Sequence, residues 1–281
     1  MFTYSPGPLS EEDLRSFVTA LKLPMLSCSF DSVYPLVREM GRPTPFKWRD
    51  MADEMIEQFI KDGVMREAAP EKLCWVSPGI FIPKASDNGE LKLRFVIDYK
   101  TVNKRVIKPH IGTYPHNTPK FLSQIRRSAT FFSKVDIKNA FFNLPLAESV
   151  RPFLHTSIIT TGGERIFEML KGPQGFSETP IWWISFIEEV LRGLNKVLNQ
   201  QIPGDSFGVI AFVDDILTFG NSENICVFVH EALLQVLCCL GIPFGKVCKP
   251  AEEVEIIGLE ITERGTNGES RFFRRPFRTQ R

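Results

Sequence analysis

An Asp-Asp pair at Asp214 and Asp215 stands between two apolar runs, Val209 to Val213 and Ile216 to Phe219. Few local structures suit such a stretch. Val, Ile and Phe favour strands and Asp is at home in tight turns, so Val209 to Phe219 predicts a β-hairpin with both aspartates at its turn. Burying the apolar arms holds two carboxylates rigidly at the surface of a cleft. Neighbouring carboxylates repel, and one tends to stay protonated unless a cation neutralises the pair. Hard oxygen ligands of this kind suit Mg²⁺. A solvated hairpin tip carries the same residues, so the pair alone leaves both readings open.

The rest of the chain can bury those arms. Its 281 residues allow one large domain or two of ordinary size, and 43% hydrophobic with 24% charged residues is a globular composition. The formal net charge of +1 excludes nothing, but the charge is unevenly spread. Between Tyr99 and Val135 lie eight Lys or Arg and no acid; from Arg264 to Arg281 six Arg stand against Glu269. Basic stretches bracketing an acidic site fit a polyanionic partner, although solvated faces share that composition. Six cysteines, at 28, 74, 226, 238, 239 and 248, lack Cys-x-x-Cys spacing. That pattern favours reduced thiols packed as small apolar groups. The four scattered His (110, 116, 155, 230) make no zinc constellation. Neither a membrane-spanning apolar run nor a signal-peptide pattern is visible, so the expectation is a soluble intracellular chain without a membrane partner, in cytoplasm or nucleus.

Taken in order, residues 1–45 suggest a helix capped by Ser10 and then repeated breaks at prolines, with no assigned chemistry. Residues 47–66 carry helical spacing, with Met51, Met55, Phe59 and Ile60 on one face and Asp62-Gly63 at the end. Gly79–Pro83 and Leu91–Asp98 read as a hairpin around the turn-rich residues 85–90. Lys84 is expected at the base of one arm, with Lys92 and Arg94 facing the same way on the other. Phe131 to Val135 reads as a strand delivering Asp136 at its end, where either a metal ligand or a helix cap is expected. Gly172 to Pro180 is a turn opening an apolar helix from Ile181 to Leu194, whose Trp182 and Trp183 are expected in the core. Ser222 to Leu240 is a second apolar helix. Gly245–Pro250 and Val254–Ile261 look like a closing strand pair, and periodicity is lost beyond Glu263.

Several of these segments, in this order, resemble reverse transcriptases, most closely those of retrotransposons and retroviruses. Leu93-Arg94-Phe95-Val96-Ile97-Asp98-Tyr99 with Val102-Asn103-Lys104 resembles the fingers block of that family. Phe132 to Phe141 resembles its first metal block, and Pro173-Gln174-Gly175 through Thr179-Pro180 its substrate-site turn. Phe212-Val213-Asp214-Asp215 is similar to the paired-aspartate box, with Phe212 where Tyr is more usual, and Lys246 before Ile256 to Leu259 to the last palm segments. The resemblance covers residues 75 to 261. Around Lys84 it departs from the family, whose run of lysines is missing.

The resemblance implies an α+β fold, a right-hand fingers and palm with an antiparallel palm sheet backed by helices. It implies fingers with the start of the palm over 46–135, palm with a primer-grip segment over 136–263, an unassigned N-terminal extension over 1–45 and a basic tail or truncated thumb over 264–281. The implied activity is RNA-directed DNA polymerase, a nucleotidyltransferase extending a primer 3′-hydroxyl with deoxynucleotides on an RNA or DNA template. Asp136, Asp214 and Asp215 would form the acidic site, with Asp136 and Asp214 holding two Mg²⁺, replaceable by Mn²⁺. Lys84 and Arg94 would clamp phosphates, Asn139 and Ala140 would offer backbone N–H groups, and Phe141 would exclude a 2′-hydroxyl. Gln174 would lie against the nucleotide, Lys246 would protonate pyrophosphate, and Ile257, Gly258 and Leu259 would grip the primer. The chain is expected to be part of a longer polyprotein carrying a thumb and ribonuclease H or other domains. Two alternatives remain: a truncated or domesticated relic that binds nucleic acid without catalysis, or another palm enzyme such as an RNA polymerase or nucleotide cyclase. Phe141 and the fingers block argue against the latter.

Overall fold

The computed structural model describes residues 8–31, 38–69, 75–85, 91–107, 118–204, 206–262 and 272–274. The turn expected over 86–90, His110, His116, Cys74 and most of the tail beyond 262 lie outside them. In chain order the elements begin with α1 (Glu11–Ala20), β1 (Ser29–Phe30), α2 (Arg49–Lys61), β2 (Met65–Glu67), β3 (Val76–Ala85) and β4 (Leu91–Ile97). There follow α3 (Lys100–Asn103), β5 (Val106–Ile107), α4 (Thr118–Ser123), β6 (Phe131–Ile137), β7 (His155–Thr160) and β8 (Gly163–Met169). The chain continues through α5 (Thr179–Gln201), β9 (Phe207–Phe212), β10 (Asp215–Gly220), α6 (Glu223–Cys239) and β11 (Phe244–Ala251). The last elements are β12 (Glu253–Ile256), β13 (Leu259–Thr262) and β14 (Phe272–Arg274). The content is α+β, and the sheets are antiparallel or mixed.

Two compact units interleave in the sequence. The first contains residues 1–23, 113–140 and 184–281, and the second 24–112 and 141–183. The first is built on a four-stranded antiparallel sheet in the order β11-β6-β10-β9. Alternation along β6 and β10 gives the sheet two different faces. Phe132, Leu217 and Phe219 pack with Val254, Ile256 and Ile261 of the small sheet β12-β13-β14. Truncating a buried aromatic in such a cluster to alanine costs about 3–5 kcal/mol. On the other face, the Ser133 Oγ lies 2.6 Å from both the Thr218 Oγ1 and the His230 Nδ1 of α6.

The N-terminal segment belongs to this packing. Ser10 caps α1 through a reciprocal bond pattern with Asp13, as its sequence suggested. Phe17 fills the space left by Gly193 on α5, and the Gln235 amide exchanges two hydrogen bonds with the Leu9 backbone, at 3.0 and 2.9 Å.

In the second unit a five-stranded sheet runs β2-β8-β7-β3-β4, antiparallel except for β3 beside β7. α2 buries Ala52, Ile56 and Phe59. This stripe differs from the expected one: Met51 is exposed, because the helix faces the sheet through the small Ala52 and through Phe59, which meets Phe95 and Phe142. Other expectations also shift. α5 runs to Gln201 where the reading ended near Leu194, and Trp183 is fully buried whereas Trp182 is only partly so. The expected closing strand pair does not form as a pair. β11 joins β6, while residues 254–261 fold on themselves as β12 and β13 around Ile257-Gly258. Both turn residues have positive φ, 50° and 73°, the signature of a two-residue type I′ turn. Among the described cysteines no disulfide forms, and Cys239 is exposed, against the expectation of packed thiols. Burial pushes the Cys226 thiol up to about 12.

Burial holds the His230 imidazole below its ordinary pKa of 6.5 and does the same to His155 in the second unit. The unfolded chain therefore binds more protons than the folded one below 6.5. Stability is full above that pH and declines as pH falls through and below it. Thermal unfolding followed from about pH 7.5 to 5 should show a falling midpoint, with a shallower fall in His230→Gln. A flat midpoint in the parent chain would contradict this.

Candidate active site

The Asp-Asp stretch folds as expected into a hairpin, β9 to β10, but only one aspartate occupies its turn. Phe212 pairs with Asp215, so the two turn residues are Val213 and Asp214, and Asp215 opens β10. Val213 has φ 58°, and only the first turn residue carries a positive φ, which is the pattern of a type II′ turn. Glycine normally stands there. A β-branched residue in this region costs on the order of 1–3 kcal/mol, which the surrounding sheet must offset. The Ile137 N–H donates to the Asp214 carbonyl at 2.8 Å, tying the turn to the end of β6.

Asp136 stands directly opposite Asp215 in the continuous antiparallel register of β6 and β10. Opposed residues share a face, so two carboxylates come together on the sheet while Asp214 projects, exposed, from the adjoining turn. The face bearing them is also the one whose inner end packs Phe132, Leu217 and Phe219 beneath β12 and β13. Two features of this corner escaped the sequence reading. The first is Gly245. A Cβ there would lie 2.9 Å from the Asp136 Oδ2, so the carboxylate occupies space that only glycine leaves. The register of β11 against β6 is irregular between Phe244 and Val247, which places Gly245 and the exposed Lys246 in a bulge opposite Asp136. The second is Lys134, whose Nζ lies 2.8 Å from the Asp215 Oδ1. Sequence alone offered one signal for it, its position two residues before Asp136 on the same strand face.

Among the described residues no group of three or more His, Cys, Asp or Glu is gathered as a ready-made metal cage. The donor set nevertheless fits Mg²⁺, which takes one or two protein carboxylates and completes its shell with water and substrate phosphates. Ile257, Gly258 and Leu259 sit at the β12–β13 turn, and Ile257 packs partly against the same apolar cluster. Asn139 adopts φ 48° in the turn after β6, and Ala140 is buried beyond it.

The remaining candidate residues lie in the second unit. Lys84 pairs with Lys92, and Ile82 with Arg94. This register puts Lys84, Lys92 and Arg94 on one face of the β3–β4 hairpin, all exposed, with Lys84 toward the loop end and not at the base. Phe141 is half-buried in a 3₁₀ turn (Ala140–Asn143), and its carbonyl lies against Gly172, where a Cβ would come within 2.9 Å. The Gln174 carbonyl accepts from the Ile97 N–H at 3.2 Å. Asn103 clamps the same turn: its Nδ2 donates to the Gly175 carbonyl and its Oδ1 accepts from the Ser177 N–H, both at 2.9 Å. Two blocks 72 to 74 residues apart in sequence are thereby joined through one amide side chain.

A family model described as reverse transcriptase (RNA-dependent DNA polymerase) matches residues 82–255. That span includes the three aspartates, Lys84, Arg94, Asn139, Ala140, Phe141, Gln174 and Lys246, and ends just before Ile257. The chain is also similar to the Transposon Tf2-3 and Tf2-4 polyproteins of Schizosaccharomyces pombe, with 33% identity over 223 residues in each case. The alignment covers 79% of this chain and 15% of each polyprotein. The Tf2-7 polyprotein of the same organism is 32% identical over the same length. The chain thus spans about 15% of the length of the curated relatives it matches. Among the described residues no helix is long and apolar enough to cross a membrane.

Proposed function

The chain belongs to the reverse transcriptase family, and we propose that it extends a primer 3′-hydroxyl with deoxynucleoside triphosphates on an RNA or DNA template. The observation that carries this reading is the facing pair Asp136 and Asp215, with Asp214 on the strained turn beside them. Two facing acids from distant segments, with a third on the adjoining turn, repel one another, and bound cations would relieve that repulsion. In this reading Asp136 and Asp214 are the ligands of two Mg²⁺ (or Mn²⁺). Ions held there would supply charge neutralisation for the 3′-oxygen, the triphosphate and the pyrophosphate.

The chain's own residues position the reactants. Lys84 and Arg94 hold triphosphate oxygens from an exposed hairpin face, and Asn139 and Ala140 donate backbone N–H groups. Gln174 meets the nucleotide on a turn held by Asn103, and Lys246 gives a proton to the departing pyrophosphate. Ile257, Gly258 and Leu259 hold the primer end. The ring of Phe141 excludes a 2′-hydroxyl by occupying its volume. Family membership supports these roles, and in this reading the acid-bearing sheet is the palm and the β3–β4 hairpin belongs to the fingers. The chain works within a longer polyprotein.

Primer extension on an RNA template with Mg²⁺, offering deoxynucleotides and ribonucleotides separately, tests the proposal. Extension is expected with deoxynucleotides only. Phe141→Val should raise ribonucleotide use relative to deoxynucleotide use by about tenfold or more, as expected when a steric block is removed. Tight template–primer binding without extension would turn the reading to a noncatalytic relic. An unchanged ratio in Phe141→Val would remove the gate from Phe141.

A further inference from the structure

Lys134 and Asp136 are two residues apart on β6 and share the face that Asp215 joins from β10. The lysine is paired with Leu217, and its long side chain reaches diagonally to Asp215, where Nζ and Oδ1 are 2.8 Å apart. Both side chains are largely shielded, 21% and 17% exposed, so solvent screens the pair less than it would a surface ion pair. The acidic corner therefore contains its own cation.

We infer that Lys134 is a positioning residue that acts as a built-in counter-ion: it holds Asp215 aside and keeps the corner's affinity for divalent cations low until substrate phosphates arrive. The inference rests on the metal-binding reading above. A fixed positive charge beside candidate ligands opposes cation entry by simple Coulomb repulsion, and its pairing with Asp215 occupies one of the corner's carboxylates. Triphosphate oxygens supply the missing negative charge and the remaining ligands, so cation and nucleotide enter together. Lys134 also relieves repulsion between Asp215 and Asp136 in the substrate-free chain, a task the sequence alone would give to a metal ion.

The test is Mn²⁺ binding to the full chain without nucleotide, read by electron paramagnetic resonance of the free ion, with unfolding midpoints in parallel. Lys134→Met should bind Mn²⁺ about tenfold more tightly than the parent chain and gain a larger Mn²⁺-induced rise in midpoint. Asp215→Asn should bind more weakly, and Lys134→Met combined with Asp215→Asn should return close to the parent value. Lys134→Arg, which keeps the charge, should resemble the parent. A structural role alone would not produce this ordering by charge. If Lys134→Met fails to fold, the double variant against Asp215→Asn alone still reports the lysine's effect. Parent binding lost in Asp214→Asn but unchanged in Lys134→Met would overturn this inference and leave the metal site standing. No Mn²⁺ binding in any variant would overturn both.

Discussion

Asp214→Asn is expected to lower primer extension by on the order of 10³-fold or more while leaving the unfolding midpoint nearly unchanged. The two halves of that expectation have separate reasons. Asp214 is exposed on the two-residue turn, so its side chain contributes little burial. Its structural contribution is the backbone carbonyl that accepts from Ile137, which Asn retains. Asn also suits tight turns as Asp does, so the strained geometry at Val213 should persist. What is lost is one full negative charge and a hard anionic ligand at the corner where the proposed chemistry develops charge. Extension assays run beside thermal unfolding separate the two effects. Retained activity in a folded Asp214→Asn chain would end the assignment of Asp214 as a metal ligand.

Gly175→Ala is expected to have the largest effect on stability, about 2–4 kcal/mol. Gly175 has φ +104°, and a Cβ added there would stand 2.1 Å from the Ile97 carbonyl oxygen. Backbone cannot yield as a flexible side-chain tip can, so the turn must move. Moving it strains the Ile97–Gln174 hydrogen bond and both bonds from the Asn103 amide, which depend on the same few backbone atoms. Gly204→Ala is the matched control: its φ is +87°, but nothing lies within 4 Å of its added Cβ. That variant should pay only the conformational term, about 1 kcal/mol. Equal losses in the two variants, measured by denaturant unfolding, would show that the close approach to Ile97 is immaterial.

Much of the local structure was legible because short-range periodicity sets it. Alternation at Leu91–Ile97, the apolar run leading to Asp136, the Ser10 cap, and the apolar arms around Asp214 each pointed to the right element. Errors came where a tertiary partner selected among local options. The α2 stripe moved from Met51 to Ala52 because the helix meets the sheet through its small and aromatic residues. Strand propensity pairs the two closing segments with each other, but β6 offers an edge to β11, and a type I′ turn lets residues 254–261 pair with themselves.

The candidate site divides along the same line. The residue types, their order, the delivery of Asp136 toward the end of a strand and the placing of Asp214 at a hairpin turn were determined by the sequence itself, since apolar runs flanking an acid leave little choice of local structure. The tertiary structure alone decided that Asp215 faces Asp136, that Lys134 answers Asp215, that Gly245 leaves room for the Asp136 carboxylate, and that Asn103 holds the Gln174–Gly175 turn. Each of these depends on a pairing register or a close approach between segments far apart in the chain. Register is set by which apolar faces are buried together, a property of the assembled sheet that no single stretch contains.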